Sequence, residues 1–321
     1  GSNVSVSGNP VDVRRLDLNS QNNLSIDSDR DSLPDEWELS YFPSISSQTG
    51  DGDSNSDGIT NFAAYAMVGE SMSEPLKYYA NNLAAPLVLL EAMRQHGTKH
   101  FIFSSTCATF GNPQYIPMDE GHPQNPINPY GQSKLMLEHV LRDCDHAFGI
   151  RHVILRYFNA SGCSADGVIG EDHTPESHIL PRTLMAITGE APHVTVFGTD
   201  YPTPDGTCIR DYIHIVDLIE AHILALGALD GGNRTYNLGN GQGFSVRQVI
   251  EAAEKVTGRK IAVEIAPRRP GDPAVLVAGS ARIKRELGWE PKYPDIESII
   301  RTAWAWHSRH PRGYEKNPPG L

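Results

Sequence analysis

Two groups of residues in this 321-residue chain have the types and spacing to do chemistry. In the first, Ser104-Ser105-Thr106 precedes Pro129-Tyr130-Gly131-Gln132-Ser133-Lys134. Tyr130 and Lys134 are one helical turn apart, so on a helix they share a face. An ammonium beside a phenol favours phenolate and draws its pKa down from about 10 toward the working pH. A hydroxyl such as Thr106 can hold a substrate oxygen from the other side, so the group could move a proton on and off a substrate hydroxyl. Of the twelve tyrosines only Tyr130 has a lysine four positions later, which separates it from a Tyr and Lys that merely pack and snorkel on one helix.

The second group is Asp27-x-Asp29-x-Asp31-Ser32-Leu33-x-Asp35-x-x-Glu38. It puts side-chain oxygens at positions 1, 3, 5, 9 and 12 of a calcium-type loop, with the Leu33 carbonyl at position 7. Ser32 stands where such loops carry glycine. A second run, Asp53-x-Asn55-x-Asp57-Gly58-Ile59-x-Asn61, has the glycine but Ala64 in place of the closing glutamate. A solvated acidic linker is the competing reading of both.

The elements that must position the first group follow from periodicity. Pro75 opens a helix through about Gln95, with Leu83, Leu87, Leu90 and Ala92 along it. His100–Ser105 is a short buried strand, Pro129 to about Cys144 the next helix, and His152–Phe158 another strand. This alternation predicts βαβ units and a parallel sheet.

The composition, 39% hydrophobic and 21% charged, supports a substantial core. A net charge of −12 argues against nucleic acid or an anionic membrane as partner. No apolar run approaches the roughly 20 residues of a membrane span. Cys107, Cys144, Cys163 and Cys208 form no C-x-x-C pair, which suggests reduced thiols and a cytoplasmic location. The charge is unevenly spread: residues 1–60 hold eleven acids and three arginines, and so eight of the twelve excess negative charges.

From about Phe62 to Gly313 the chain resembles the UDP-glucose 4-epimerases of the extended short-chain dehydrogenase/reductase family. The resemblance rests on Phe62-Ala63-Ala64 with Val68-Gly69-Glu70-Ser71, Phe103-Ser104-Ser105-Thr106, Asn128-Pro129-Tyr130-Gly131 and Arg156-Tyr157-Phe158-Asn159. It continues in Thr203-Pro204-Asp205-Gly206-Thr207, Arg210-Asp211-Tyr212-Ile213-His214, Tyr236-Asn237-Leu238-Gly239 and Pro267-Arg268-Arg269-Pro270-Gly271-Asp272. Residues 1–61 instead resemble the Asp-rich calcium-binding repeats of bacterial surface proteins, with Trp37-Glu38 and Tyr41-Phe42 between the loops.

The resemblance implies an α/β fold: a Rossmann-like parallel sheet lacking its usual first βαβ half, a smaller C-terminal substrate lobe, and an acidic irregular N-terminal segment. The expected division is 1–61 calcium-repeat-like, 62–175 a partial NAD domain and 176–321 mostly the nucleotide-sugar lobe. The implied activity is interconversion of UDP-glucose and UDP-galactose by transient NAD-dependent oxidation at C4, through a 4-keto sugar that turns over in the site. Tyr130 is then the general base, Lys134 the nicotinamide-ribose ligand that tunes it, and Thr106 an aid to proton handling. NAD contacts fall to Tyr130, Lys134, Phe62, Ala63, Ala64, Asn82 and Ser104. Substrate contacts fall to Thr106, Asn159, His178, Phe197, Arg210, Arg269, Asp272 and Leu276. Ser177-His178 replaces an Asn pair common in the family, and Leu276 stands where side-chain size limits N-acetylated sugars, leaving their acceptance open. The expected metal ligands are Asp27, Asp29, Asp31, Asp35 and Glu38, for Ca2+, and the expected assembly is a homodimer.

The Gly-rich strand-to-helix turn that cradles a pyrophosphate is not found in residues 1–61. Gly239-Asn240-Gly241-Gln242-Gly243 could be mistaken for it, but its spacing lacks the third glycine of G-x-G-x-x-G and the run reads as an ordinary strand-to-helix turn. A non-catalytic binder of UDP-sugar or calcium is the competing function. A dehydratase is disfavoured, because no acid pair for water elimination follows Thr106.

Overall fold

The computed structural model of the chain describes residues 64–173, 175–269, 272–311, 313 and 314. The calcium-type loop of Asp27, Asp29, Asp31, Asp35 and Glu38, together with Phe62 and Ala63, lies outside them.

Helix α1 spans Val68–Ser73 and α2 spans Pro75–Tyr79, followed by a π turn over Ala80–Ala84 and then α3, Ala85–His96. The continuous helix expected from Pro75 is therefore interrupted at mid-length. The buried Asn82 lies in the π turn and accepts from Tyr65 N at 2.9 Å while donating to Tyr65 O at 2.8 Å. Wider turns of this kind re-aim one side chain within a helix.

Strand β1 (His100–Thr106), helix α4 (Pro129–Phe148) and strand β2 (Arg151–Tyr157) form the first crossover. Next come β3 (Asn159–Ser161), α5 (Ile179–Thr188), β4 (Val194–Phe197), β5 (Ile209–His214) and α6 (Ile215–Ala228). The described chain closes with β6 (Arg234–Leu238), β7 (Gly243–Ser245), α7 (Val246–Thr257), β8 (Val263–Ala266), β9 (Val275–Leu276), α8 (Ala281–Leu287) and α9 (Ile296–His307).

The expected parallel sheet is present: β1, β2 and β6 pair in parallel in that order, with Thr106 opposite Tyr157. Strand β2 is buried along Val153, Ile154 and Leu155, as a parallel strand covered on both faces must be. One face carries Phe103, Leu137, Leu141 and Ile154 with Leu90 and Met93 of α3. Val153, Leu155, Tyr236 and Leu238 pack with Leu218 and Ala221 of α6 and with Trp289. A separate core joins Leu180, Leu184, Val249, Ile299 and Trp306 from α5, α7 and α9. Burying each such side chain contributes about 1.5–3 kcal/mol. Among the described residues, no helix is long and apolar enough to cross a membrane.

Candidate active site

The start of α4 is fixed by its first residues. Asn128 caps it by accepting from Gly131 N at 2.8 Å, and Pro129 fills the first turn, where no N–H is needed. Gly131 is there for lack of a side chain: a Cβ would collide with the Ala108 carbonyl. That close approach brings Tyr130 up to the end of β1. The Thr106 hydroxyl in turn accepts from Ala108 N at 3.1 Å, capping the short turn Cys107–Thr109.

Lys134, one turn after Tyr130, is buried, and its Nζ donates to the Ser104 carbonyl at 3.1 Å. It also lies over the Phe103 ring, 5.1 Å from the centroid. Burial alone lowers its pKa to about 8, because no carboxylate offsets the loss of water. The Ser104 hydroxyl lies 3.1 Å from His222 Nε2 of α6.

Tyr130 departs from the sequence expectation. Its phenol is pushed well above the ordinary range, first by burial and then by Tyr157, with Cys107 and Tyr78 adding to it; only the hydrogen bond with Thr106 pulls the other way. The Tyr78 ring meets Tyr130 edge-on at 6.3 Å. Helical spacing puts the lysine on the right face but cannot show that three acidic groups from distant segments surround the phenol. In this arrangement Tyr130 holds its proton at neutral pH.

The Cys107 thiol links this cluster to Arg210 of β5. Burial raises it to about 11, and its main opposing influence is the charge of Arg210. Arg210, on β5, forms a hydrogen-bonded ion pair with Asp272 and donates to Ile209 O at 2.7 Å. Leu276, opposite Arg210 in the β5–β9 register, packs with Cys107 against Phe110, Met118 and Phe158. Asn159 donates to Asp211 O at 2.9 Å. Phe197 and Arg269 stack as a cation–π pair at 3.9 Å. His178 is engaged elsewhere: its Nδ1 lies 2.9 Å from Glu171 and 3.0 Å from Glu176, and these carboxylates raise its pKa to about 9. Ala64 is half-buried and outside any helix or strand.

A family model described as GDP-mannose 4,6 dehydratase matches residues 52–303. The chain is 53% identical over 261 residues to UDP-glucose 4-epimerase of Streptococcus mutans, covering 81% of this chain and 78% of that protein. The chain belongs to the UDP-glucose 4-epimerase family. Its fold matches the Brucella ovis UDP-glucose 4-epimerase solved in complex with NAD, with a TM-score of 0.74 and 49% identity over 77% of each chain. It also matches the Bifidobacterium longum enzyme solved with NAD+ and UDP, with a TM-score of 0.75 and 41% identity over 79% of this chain and 76% of that one.

The residues at the end of β1 offer polar groups that could hold the ribose of a nucleotide cofactor. Lys134 has three N–H donors and, among the described residues, one hydrogen bond, so the buried ammonium has donors to offer a ribose diol. Asn82 directs its amide to Tyr65 and, at 3.4 Å, to Ser133 Oγ.

Sequence reasoning missed two supports of this candidate site. Glu138, one turn beyond Lys134, is fully buried and pairs bidentately with Arg156 of β2 at 2.9 and 2.6 Å, while accepting from Ser105 Oγ at 2.7 Å. Burial would raise its carboxyl, but Arg156 and Ser105 together hold it below the ordinary range. The signal was a charged residue on the buried stripe of α4 and an arginine inside an apolar strand. The second support is Asp211, which accepts from Asn240 N at 2.8 Å and from Gly241 N and Ala278 N at 3.0 Å. Within the Gly239–Gly243 run, the Asn240 and Gly241 amides thus point to a buried carboxylate and the Gly239 amide donates to Ser280 Oγ at 3.0 Å, in line with its reading as a turn.

Proposed function

We propose that the chain interconverts UDP-glucose and UDP-galactose by inverting C4 of the sugar, using NAD. The observation that carries this reading is the convergence of Tyr130, Thr106 and Lys134 at the end of β1, with Cys107 joining them to the Arg210–Asp272 pair. When bound, NAD supplies a reversible acceptor for the C4 hydride. Lys134 holds the ribose beside it and contributes the positive charge that makes a phenolate accessible at Tyr130. The Tyr130 oxygen takes the 4-hydroxyl proton and later returns it, so the cycle is neutral in protons, and Thr106 holds the oxygen between them. The raised proton affinity of Tyr130 favours the returning half, whereas the accepting half depends on Lys134 being charged.

Arg210 and Arg269 offer guanidinium forks to the diphosphate, and Asp272 suits the uridine ribose. Asn159, His178 and Phe197 complete the substrate wall, and Leu276 sets the room beside the sugar. Ala64, Asn82 and Ser104 would flank the cofactor; Phe62 and Ala63, expected beside them from the resemblance, lie outside the described residues. On this reading residues 62–175 hold the cofactor and 176–321 mostly the nucleotide sugar. The family model carries a dehydratase description, but Thr106 is followed by Cys107-Ala108, not by acids able to expel water. All four cysteines are unpaired, which suits a reduced cytoplasmic setting, and the chain acts as a homodimer without nucleic acid or membrane.

Denaturing the purified chain and measuring released NAD by absorbance and mass tests the cofactor reading, and calorimetry with UDP tests the substrate reading. Failure of both, with no turnover of UDP-galactose, would overturn the proposal.

A further inference from the structure

A second chemical cluster lies between β3 and the start of α5. Glu171, His173, Glu176 and His178 each present one ligand atom, and the four lie within 4.8 Å of one another. His173 Nδ1 is 3.2 Å from Glu171 and 3.6 Å from Glu176; His178 Nδ1 is 2.9 Å from Glu171 and 3.0 Å from Glu176. Ligands placed tetrahedrally at about 2.0–2.1 Å from one ion are separated by roughly 3.3 Å. The four nitrogen–oxygen separations lie near that edge, with the two Glu176 oxygens facing one imidazole each, and all four ligand atoms fall within 4.8 Å, so the side chains would draw in around an ion.

The frame is built before any ion arrives. Glu176 Oε1 accepts from both Ser177 N and His178 N at 2.6 Å, fixing the carboxylate at the entry to α5. Gly170, next to Glu171, leaves no room for a side chain against the Trp306 ring and exchanges hydrogen bonds with Tyr314 Oη at 2.8 and 3.1 Å. Tyr314 N also donates to Asp172 at 2.8 Å. His307 Nε2 is buried without a partner among the described residues and lies within the field of Glu171 and Glu176. Glu176 is nearly inaccessible, while both imidazoles are about half exposed, which gives an ion a way in.

We propose that these four residues form a zinc site that clasps the segment after β3 to the amino terminus of α5. Two imidazoles select a borderline transition ion over the all-oxygen shells preferred by Ca2+ and Mg2+. Two carboxylates neutralise its charge, and four protein ligands close the shell, so the role is structural. The site shares His178 with the proposed substrate wall, but its test reads zinc and not turnover, so its failure is distinguishable from failure of that reading.

The test uses the full chain, stripped with a chelator and dialysed, with zinc measured by plasma mass spectrometry and by calorimetric titration with ZnCl2. His173→Ala is the main variant because that side chain is half exposed; His178→Gln is the second. We expect one zinc per chain, no displacement by a large excess of CaCl2, and a zinc-dependent rise in Tm. Each variant should lose affinity by at least the roughly 10- to 100-fold that loss of an outer-shell partner costs. Absence of stoichiometric zinc overturns the proposal, as does zinc binding of equal strength in both variants or preferential uptake of Ca2+.

Discussion

The Lys134 ammonium rests 3.1 Å from the main-chain carbonyl oxygen of Ser104, buried and without a carboxylate partner among the described residues. An interior lysine in this state lowers stability, because its charge has left water with little return. The site accepts that cost next to Tyr130, where a positive charge is useful.

A stability measurement follows from this. Burial lowers the folded-state pKa of Lys134 to about 8 from the ordinary 10.5. Between those values the folded chain binds fewer protons than the unfolded one, so this group makes stability rise with pH there. Below about pH 8 its penalty is present in full, on the order of 3 kcal/mol. Lys134→Met should therefore raise Tm at pH 7 by roughly 5 °C, with the gain shrinking toward pH 10.5, and should abolish turnover. Calorimetric melts from pH 7 to 10 check it; a destabilised variant would show that Lys134 is a structural residue.

Glu138 and Arg156 behave in the opposite sense. Their pair is buried, so Glu138→Gln leaves the Arg156 guanidinium without its counter-charge and should cost about 3–5 kcal/mol. The folded-state pKa of Glu138 is depressed. Its contribution is therefore present above the ordinary carboxylate value of 4.5 and is lost as pH falls through the folded-state value. Urea melts from pH 7 down through the folded-state value, below 4.5, should show the two proteins converging in acid, whereas a gap that does not vary with pH would contradict the assignment.

The chemistry-bearing spacing was legible in the sequence because it is local: Tyr130 and Lys134 share a helix, and Thr106 ends the preceding strand. So was the parallel sheet, from runs such as Val153-Ile154-Leu155. What escaped depends on distant partners. The Tyr130 proton affinity is raised first by burial and then by Tyr157 of β2, with Cys107 and Tyr78 adding to it, which reverses the local expectation. The π turn at Asn82 follows from its hydrogen bonds to Tyr65, seventeen residues earlier. His178, placed by resemblance in the substrate wall, is held through Nδ1 by Glu171 and Glu176, an arrangement that loop sequence alone does not reveal.

Substrate recognition predicts a sharper effect at Arg210 than ordinary surface loss. Arg210→Ala should weaken UDP binding by about 1.5–3 kcal/mol, as expected for a charged hydrogen bond. Arg210→Lys should recover little of it, because an ammonium cannot reproduce a two-pronged contact. Calorimetric titration with UDP decides this, and unchanged affinity in Arg210→Ala would remove Arg210 from the substrate wall.

The central claim is that Tyr130 passes the C4-hydroxyl proton during epimerisation, and the most direct test is conversion of UDP-galactose to UDP-glucose by the full chain, with and without added NAD. Tyr130→Phe removes one oxygen and leaves the ring packing in place. With NAD supplied, the parent chain should turn substrate over and Tyr130→Phe should be slower by about 100-fold or more, with its UDP affinity unchanged. Equal background conversion in every sample, or full activity in Tyr130→Phe, would contradict the account.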